Sequence, residues 1–317
     1  MDPIAGLLDG PRARRAFLLR CTLDPPWALH IRDEAPLSLV AMLRGRACFV
    51  LDGHEPEWLD QNDVAILLGP DHYLFADDPA TPPQAIIHPD QRCTTPDGQE
   101  IPQMRSFGIR RWGNAPDGAT EILTGTYNAE GEVSRRLLDA LPPRLVLRRD
   151  EWETPALGLL AAEMLRDEVG QDAVLDRLLD LLLIHAVRAY FARGASQAPG
   201  WFRAQDDPVV GHAVRLLQDN PAEAWTLASL ARETCVSRAT LARRFTRVVG
   251  QPPMEYLTEW RLTLAADLIL DPAETLGSVA GKVGYGSAYA LSAAFKRVRG
   301  IRPGSYRSAE KLRAQSA

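Results

Sequence analysis

The chain has no stretch that approaches the roughly 20 consecutive apolar residues of a membrane-spanning helix, so no membrane partner is expected. It also lacks an opening segment in which a basic start runs into a long apolar core, and no secretory leader is expected. Cysteine is scarce: Cys21, Cys48, Cys93 and Cys235 are few and far apart, which excludes the disulfide framework of small secreted domains. These absences lead to the expectation of a cytoplasmic protein whose core is built by apolar packing. Histidine is sparse too, and His30, His54, His72 and His88 stand isolated, with no His-x-His pair.

What is present is uneven along the 317 residues. The length allows two domains at roughly 100–200 residues each. Hydrophobic and charged fractions of 46% and 24% are ordinary for a soluble globular protein. The net charge of −5, however, is the difference between two opposed parts. From Thr226 onward there are 14 Lys and Arg against 7 Asp and Glu, and before it 22 against 34. A basic end on an acidic body suggests a polyanion-binding module carried by another domain.

The basic end is also duplicated. Thr226, Leu227, Ser229, Ala231 and Ala239 recur 49 residues later as Thr275, Leu276, Ser278, Ala280 and Ala288. After one inserted residue, Leu241, Phe245, Arg247, Val248, Gly250, Pro253 and Tyr256 recur 50 residues later as Leu291, Phe295, Arg297, Val298, Gly300, Pro303 and Tyr306. Two copies are too few for a solenoid, so they read as a pair of equivalent modules. In each, a threonine caps a short helix with an apolar face, Leu227, Leu230 and Ala231 or Leu276, Val279 and Ala280. A turn follows at Cys235-Val236 or Gly284-Tyr285-Gly286, and Ser237 or Ser287 caps a second helix. Two helices joined by a tight turn, the second one basic, is the helix-turn-helix plan.

At about 100° per residue, Leu241, Phe245 and Val248 share the inner face of the first module's second helix, with Ala239, Arg243, Thr246 and Arg247 opposite. An arginine on that outer face can give guanine O6 and N7 two hydrogen bonds, worth about 1–3 kcal/mol of discrimination. Arg238, Thr240 and Arg244 lie beside it, and the two arginines suit phosphate contact. In the second copy the outer face is Tyr289, Ala293, Lys296 and Arg297, with Ser287 at its start. Between the modules Leu257, Trp260, Leu264, Ala265 and Leu268 recur at helical spacing, and Asp271-Pro272 ends the run. A helix of about 18 residues spans about 27 Å. That can hold two recognition helices near the ~34 Å between successive major-groove turns.

With these features in place, the C-terminal part from 207 to 308 resembles the DNA-binding domain of the AraC/XylS family. "YLTEWRLTLAADLI" is similar to that family's linker helix and "VGYGSAYALSAAFKRVRGIRPGSYR" to its C-terminal signature. The resemblance implies a transcriptional regulator that binds double-stranded promoter DNA, with RNA polymerase as a further partner if it activates. A basic residue is common in the family where Ala293 stands. The departure leaves base reading to Arg243 and anchoring to Tyr289, Lys296 and Arg297.

The N-terminal part is strand-like, with short apolar runs broken by Pro, Gly and Asp. "AFLLRCTL", "WALHI", "LSLVAMLRGRACFVL", "EPEWL", "DVAILLG", "HYLFAD" and "QAIIH" are the expected strands. "LRGRACFVLDGHEPEWLDQNDVAILLGPDHYLF" resembles a cupin, although Asn62-Asp63 stands where Gly-Asp is usual. Metal-binding cupins carry two close histidines, a carboxylate and a later histidine, and that cluster is missing. A lumen for one small molecule fits such a barrel. Cys21, His72, His88 and Cys93 are the candidate effector or redox residues. Cys21 and Cys93 resemble, in placement, the cysteine pair of reactive-chlorine-sensing regulators of this class.

Past Thr120 a closing strand, a loop and a short helix are expected, followed by two longer helices. Leu157, Leu160, Ala161 and Met164 line the first, and Leu175, Leu178, Leu179, Leu182, Leu183, Ala186, Val187 and Tyr190 the second. So wide a stripe must be buried, on the barrel or on a second subunit. "FARGASQAPGW" reads as a linker, and Asp207-Pro208 as the start of the next helix.

The expectation is an α+β multidomain chain. Residues 1–120 form a cupin-like β-barrel effector domain and 121–200 a helical dimerisation or linker region. Residues 207–308 form an all-α AraC-type domain with helix-turn-helix modules at about 226–247 and 275–297. The reading is a sequence-specific regulator answering a small-molecule or oxidative signal, with no catalytic residues, metal or cofactor. A metal-dependent cupin enzyme fused to a DNA-binding domain is the rival, and stoichiometric metal in the purified protein would favour it. A DNA-binding protein with no effector would have a barrel lumen packed solid.

Overall fold

The computed structural model describes residues 17–51, 53–89, 91–99, 101, 104–127, 137–194 and 198–316. They fall into two units, one of strands backed by two helices and one wholly helical.

In the strand unit every expected run forms a strand, because its inward residues find partners across two facing sheets. One sheet runs β10 (Arg105–Ser106), β11 (Arg111–Gly113), β1 (Phe17–Leu23), β12 (Thr120–Tyr127), β3 (Leu37–Arg44), β6 (Val64–Leu68) and β13 (Arg144–Leu147). The other runs β5 (Glu57–Leu59), β4 (Ala47–Leu51), β7 (Tyr73–Ala76), β2 (Ala28–Ile31), β8 (Ala85–Ile87) and β9 (Cys93–Thr94). Pairs are antiparallel except β1 with β11 and β2 with β8. The core between the sheets draws Leu23, Val40, Met42 and Ile122 from one and Leu29, Phe49 and Phe75 from the other, with Trp27 just ahead of β2. Leaving water by such side chains stabilises the fold by about 25 cal/mol per Å² of apolar surface.

The sheet extends past the expected boundary. Residue 120 begins β12, which lies between β1 and β3, and β13 adds at the edge of β6 with Leu145 opposite Ile66. Pro142 and Pro143 hide β13 in the sequence, although its buried positions alternate with period two. Arg148, just beyond β13, donates to Asp63 at 3.1 Å and also pairs with Glu57. The other Asp63 oxygen accepts the Arg149 N–H at 2.8 Å. Asn62 takes φ +70°, a left-handed conformation that explains why glycine is usual there and why asparagine can replace it.

Helices α1 (Ala156–Glu163) and α2 (Gln171–Arg193) cover the outer face of this sheet. A Cβ built on Gly125 of β12 would lie 2.8 Å from Leu179 Cδ1, so α2 sits directly on that strand. The apolar stripe of α2 therefore has the barrel as a partner. Its buried positions are Leu175, Leu179, Leu182, Leu183, Ala186, Val187 and Phe191, with Phe191 taking the place expected of Tyr190. Residues 128–136, which hold most of the expected loop and the start of the expected short helix, lie outside the described residues, as do 195–197 of the linker; Leu137 and Leu138 are helical.

The helical unit contains α3 (Gly200–Arg203), a 3-10 turn, α4 (Pro208–Asp219), α5 (Leu227–Glu233), α6 (Arg238–Val249), α7 (Pro253–Leu270), α8 (Leu276–Lys282), α9 (Ala288–Arg299) and α10 (Pro303–Ser316). The end of the expected linker belongs to it: Trp201 is buried, and a Cβ on Gly200 would meet the Val249 carbonyl at 2.2 Å. Helix α7 is buried on more than the expected stripe because it serves two cores. Tyr256, Leu257 and Trp260 are buried towards its first half. Leu262, Ala265, Ala266 and Ile269 join Val279, Leu291, Phe295 and Tyr306 in the second core, leaving Leu264 and Leu268 half-buried.

Removing a ring from a filled core costs the transfer free energy and leaves a cavity. Phe295→Ala should therefore destabilise the helical unit by about 3–5 kcal/mol. Calorimetry on the full chain should show its transition moving down while that of the strand unit holds its temperature.

Candidate functional site

Both recognition helices are shaped by local hydrogen bonds. Thr226 and Ser229 form a reciprocal capping box at the start of α5, and Thr275 accepts the Ser278 N–H at 3.1 Å at the start of α8. Cys235, at φ +55°, and Gly284, at φ +82°, then reverse the chain in the left-handed conformation. Their neighbours close the turn: Val236 N–H donates to the Ala231 carbonyl at 3.0 Å and Tyr285 N–H to that of Ala280 at 2.8 Å. Ser237 and Ser287 accept the Thr240 and Ala290 N–H groups at 3.2 and 3.1 Å, starting α6 and α9. Gly250 and Gly300, at φ +94° and +76°, end them.

Each recognition helix is held by its inner face. Leu241 and Phe245 are fully buried in the first module, Leu291 and Phe295 in the second. Phe245 stands edge-on to Tyr256 at 5.7 Å and Phe295 to Tyr306 at 5.5 Å, so the repeat extends to the ring pair. The outer faces stay in water. Arg238, Ala239, Arg243, Thr246 and Arg247 are exposed on α6, with Thr240 half-buried; Tyr289, Ala293, Lys296 and Arg297 are exposed on α9 after Ser287. Tyr289 is 84% exposed. Arg238, Arg243, Arg247, Lys296 and Arg297 form no ion pair among the described residues, leaving two rows of cations available to a polyanion.

Arg244 differs from the expectation. Its Nη2 lies 2.9 Å from both oxygens of Asp207 and its Nε 3.2 Å from one. Asp207 also accepts the Val209 and Val210 N–H groups at 3.0 and 3.1 Å, as the cap of α4. Arg244 thus braces α6 to α4 instead of standing ready for a phosphate. Helical periodicity gives its angle on α6 but not a partner 37 residues away. The second copy has buried Ala294 at this place.

The strand unit holds a cavity of about 260 Å³ between its sheets, so the lumen is not packed solid as an effector-free barrel would require. Leu29, Ile31, Phe75, Ile87, Trp112 and Ile122 are among its walls, and Cys21 and Cys93 both reach it. Burial, and then the neighbouring Cys93, push the Cys21 thiol up to about 12. The two histidine candidates are not on this wall. His72 is exposed with its ring edge-on to His30 at 6.3 Å, and His88 Nε2 lies 2.9 Å from Thr94 Oγ1. Among the described residues no three His, Cys, Asp or Glu side chains gather in one place.

Comparison with known proteins agrees with this division. A family model described as a cupin matches residues 2–192, and one described as a helix-turn-helix domain matches residues 230–309. The chain is 33% identical to a putative AraC-like transcription regulator of Streptomyces lividans, over 97% of this chain and 98% of that protein. It belongs to the AraC-like transcription regulators. A putative AraC-like regulator of Streptomyces antibioticus is 32% identical over 97% of this chain and 98% of its own length. The DNA-binding domain of AdpA, solved in complex with a target DNA, is 30% identical, covering 35% of this chain and 99% of that one at a TM-score of 0.33.

In this AraC-like regulator the Asp207 carboxyl is held below the ordinary carboxylate range. Burial acts to raise it, but the Val210 N–H, then Arg244, then the Val209 N–H outweigh that. A carboxylate depressed in the folded state stabilises above its unfolded pKa of about 3.9 and loses that contribution as pH falls through the folded value. Asp207→Ala should cost about 1–2 kcal/mol at pH 7, from a lost cap and a partly exposed ion pair. Thermal midpoints of both proteins measured against pH should converge below about pH 4.

Proposed function

We propose that this regulator binds promoter DNA through two unequal modules, with α6 reading bases and α9 anchoring the domain. The observation that carries the reading is the contrast between Arg243, exposed on the outer face of α6, and Ala293 at the same place on α9. Arg243 can reach guanine with two hydrogen bonds. Arg238 and Arg247 contact phosphates beside it. Tyr289, Lys296 and Arg297 hold the second module to the backbone, where contacts fix register without reading sequence. The protein acts in the cytoplasm, as a regulator and not as an enzyme, with RNA polymerase as a further partner if it activates. A small molecule taken into the cavity of the cupin domain supplies the signal.

Arg243→Ala should reduce the ratio of specific to scrambled-site binding by the equivalent of about 1–3 kcal/mol. Arg238→Ala should weaken both equally and flatten the dependence on salt. Fluorescence anisotropy across a salt series separates the two effects. An unchanged specificity ratio for Arg243→Ala would remove α6 from base reading.

A second, oxidative signal is favoured by Cys21 and Cys93 lining the same cavity from its two facing sheets. A two-electron oxidant would remove the two thiol hydrogens and join the sulfurs, linking β1 to β9 across the cavity. Cys21→Ser and Cys93→Ser should each abolish an oxidant-induced change in DNA binding, while binding by the reduced protein stays unchanged. A response that persists in both variants would rule the pair out.

A further inference from the structure

We propose that the cavity of the cupin domain takes a compact apolar molecule bearing a protonated amine, with the ammonium seated on the Asp33 carboxylate. The inference rests on the reading of this cavity as the effector site and adds the chemical class of the effector. Most of the wall is apolar, and about 260 Å³ is just below the roughly 300–1,000 Å³ of pockets that hold drug-sized ligands. A single ring with a short chain is the scale that fits.

Asp33 is the one carboxylate on the wall among the described residues, two positions beyond Ile31. It accepts the Ala35 N–H at 3.3 Å and a hydrogen bond from the Gln91 side chain. No lysine or arginine is ion-paired with it among the described residues. Burial raises the Asp33 carboxyl above its ordinary value, against the hydrogen bonds of Ala35 and Gln91 and the nearby His72. A half-buried carboxylate with no lysine or arginine paired to it has lost part of its hydration, and a ligand cation can offset that loss.

The two arginines bordering the cavity are engaged elsewhere. Arg110 hydrogen-bonds Asp172 and, at 3.4 Å, Gln171, both on α2. Arg111 stands opposite Arg20 in the parallel β1–β11 pair, and the next pair is Cys21 with Trp112. Arg111 also lines the cavity: its Nη2 donates to the Pro116 carbonyl at 3.1 Å, and its buried Nε has no hydrogen-bond partner among the described residues. Asp33 is the acidic charge that a ligand in the cavity meets.

Three probes of one shape test this on the full-length protein: 3-phenylpropylamine, propylbenzene and 3-phenylpropionate, titrated by calorimetry and by quenching of tryptophan fluorescence. The amine should bind about tenfold or more tightly than either analogue, the scale of a charge-assisted hydrogen bond. Asp33→Asn keeps an oxygen for the Ala35 N–H, and should bring the amine to the level of propylbenzene while leaving propylbenzene unchanged. Equal affinities, a preference for the carboxylate, or an amine preference that survives Asp33→Asn would overturn the amine class while leaving the effector cavity standing. Binding of none of the three would overturn both. The comparison of probes on the unmodified protein decides even if the variant does not fold.

Discussion

A helix that offers one whole face to a polyanion can be held by its other face alone, and the helical unit is arranged around that constraint. On α6 and α9 the holding face amounts to a leucine and a phenylalanine per module, with little else that is buried. The ring pairs Phe245–Tyr256 and Phe295–Tyr306 add directional contact to that small area. Serine caps at the start and left-handed glycines at the end fix the length of each helix without using its outer face. Helix α7 then contributes to both cores, so the orientation of each module depends on one shared rod.

The modules are held to different degrees. The first has the extra Arg244–Asp207 brace, which ties the recognition helix to the cap of α4. The second has Ala294 instead, and gains its constraint at the turn. A Cβ on Gly284 would lie 2.8 Å from Ala222 Cα and from Arg261 Nη2, whereas the first turn has room for the exposed side chain of Cys235. Arg261 donates to the Pro221 and Glu223 carbonyls at 2.6 Å, fixing the loop after α4 against which Gly284 packs. The braced helix is the one that carries Arg243.

The repeat was legible because its chemistry is local. Caps, turn residues and a 3.6-residue apolar period are written within a few positions of the bonds they make, so Thr226, Ser237, Gly250 and their copies could be assigned without coordinates. The seven N-terminal runs, which form eight strands, were legible for the same reason. What the sequence hid depends on distant pairing. Arg244 needed Asp207, and the strand at Arg144–Leu147 needed the free edge of β6. Arg148 needed Asp63, 85 residues earlier, to show that a carboxylate in a family turn also latches the last strand of the sheet. The candidate quartet Cys21, His72, His88 and Cys93 was divided by register. The cysteines share a cavity, while the histidines point to places that proximity in sequence could not distinguish.

Strand β12 connects the interior of the cupin domain with its helices. Ile122, Thr124 and Thr126 face the cavity, and Gly125 faces α2 from between them. Gly125 has no side chain to yield, and the Leu179 methyl groups lie at the distance where a Cβ would already collide. Close-packed interiors transmit such displacements instead of absorbing them. A molecule that presses Thr124 or Thr126 outward therefore acts on Leu179 through the backbone of a single residue. The same strand is flanked by β1, which carries Cys21, so a link between Cys21 and Cys93 would act on the neighbouring register. A bound molecule and an oxidised cysteine pair would thus reach α2 by one route, through β12.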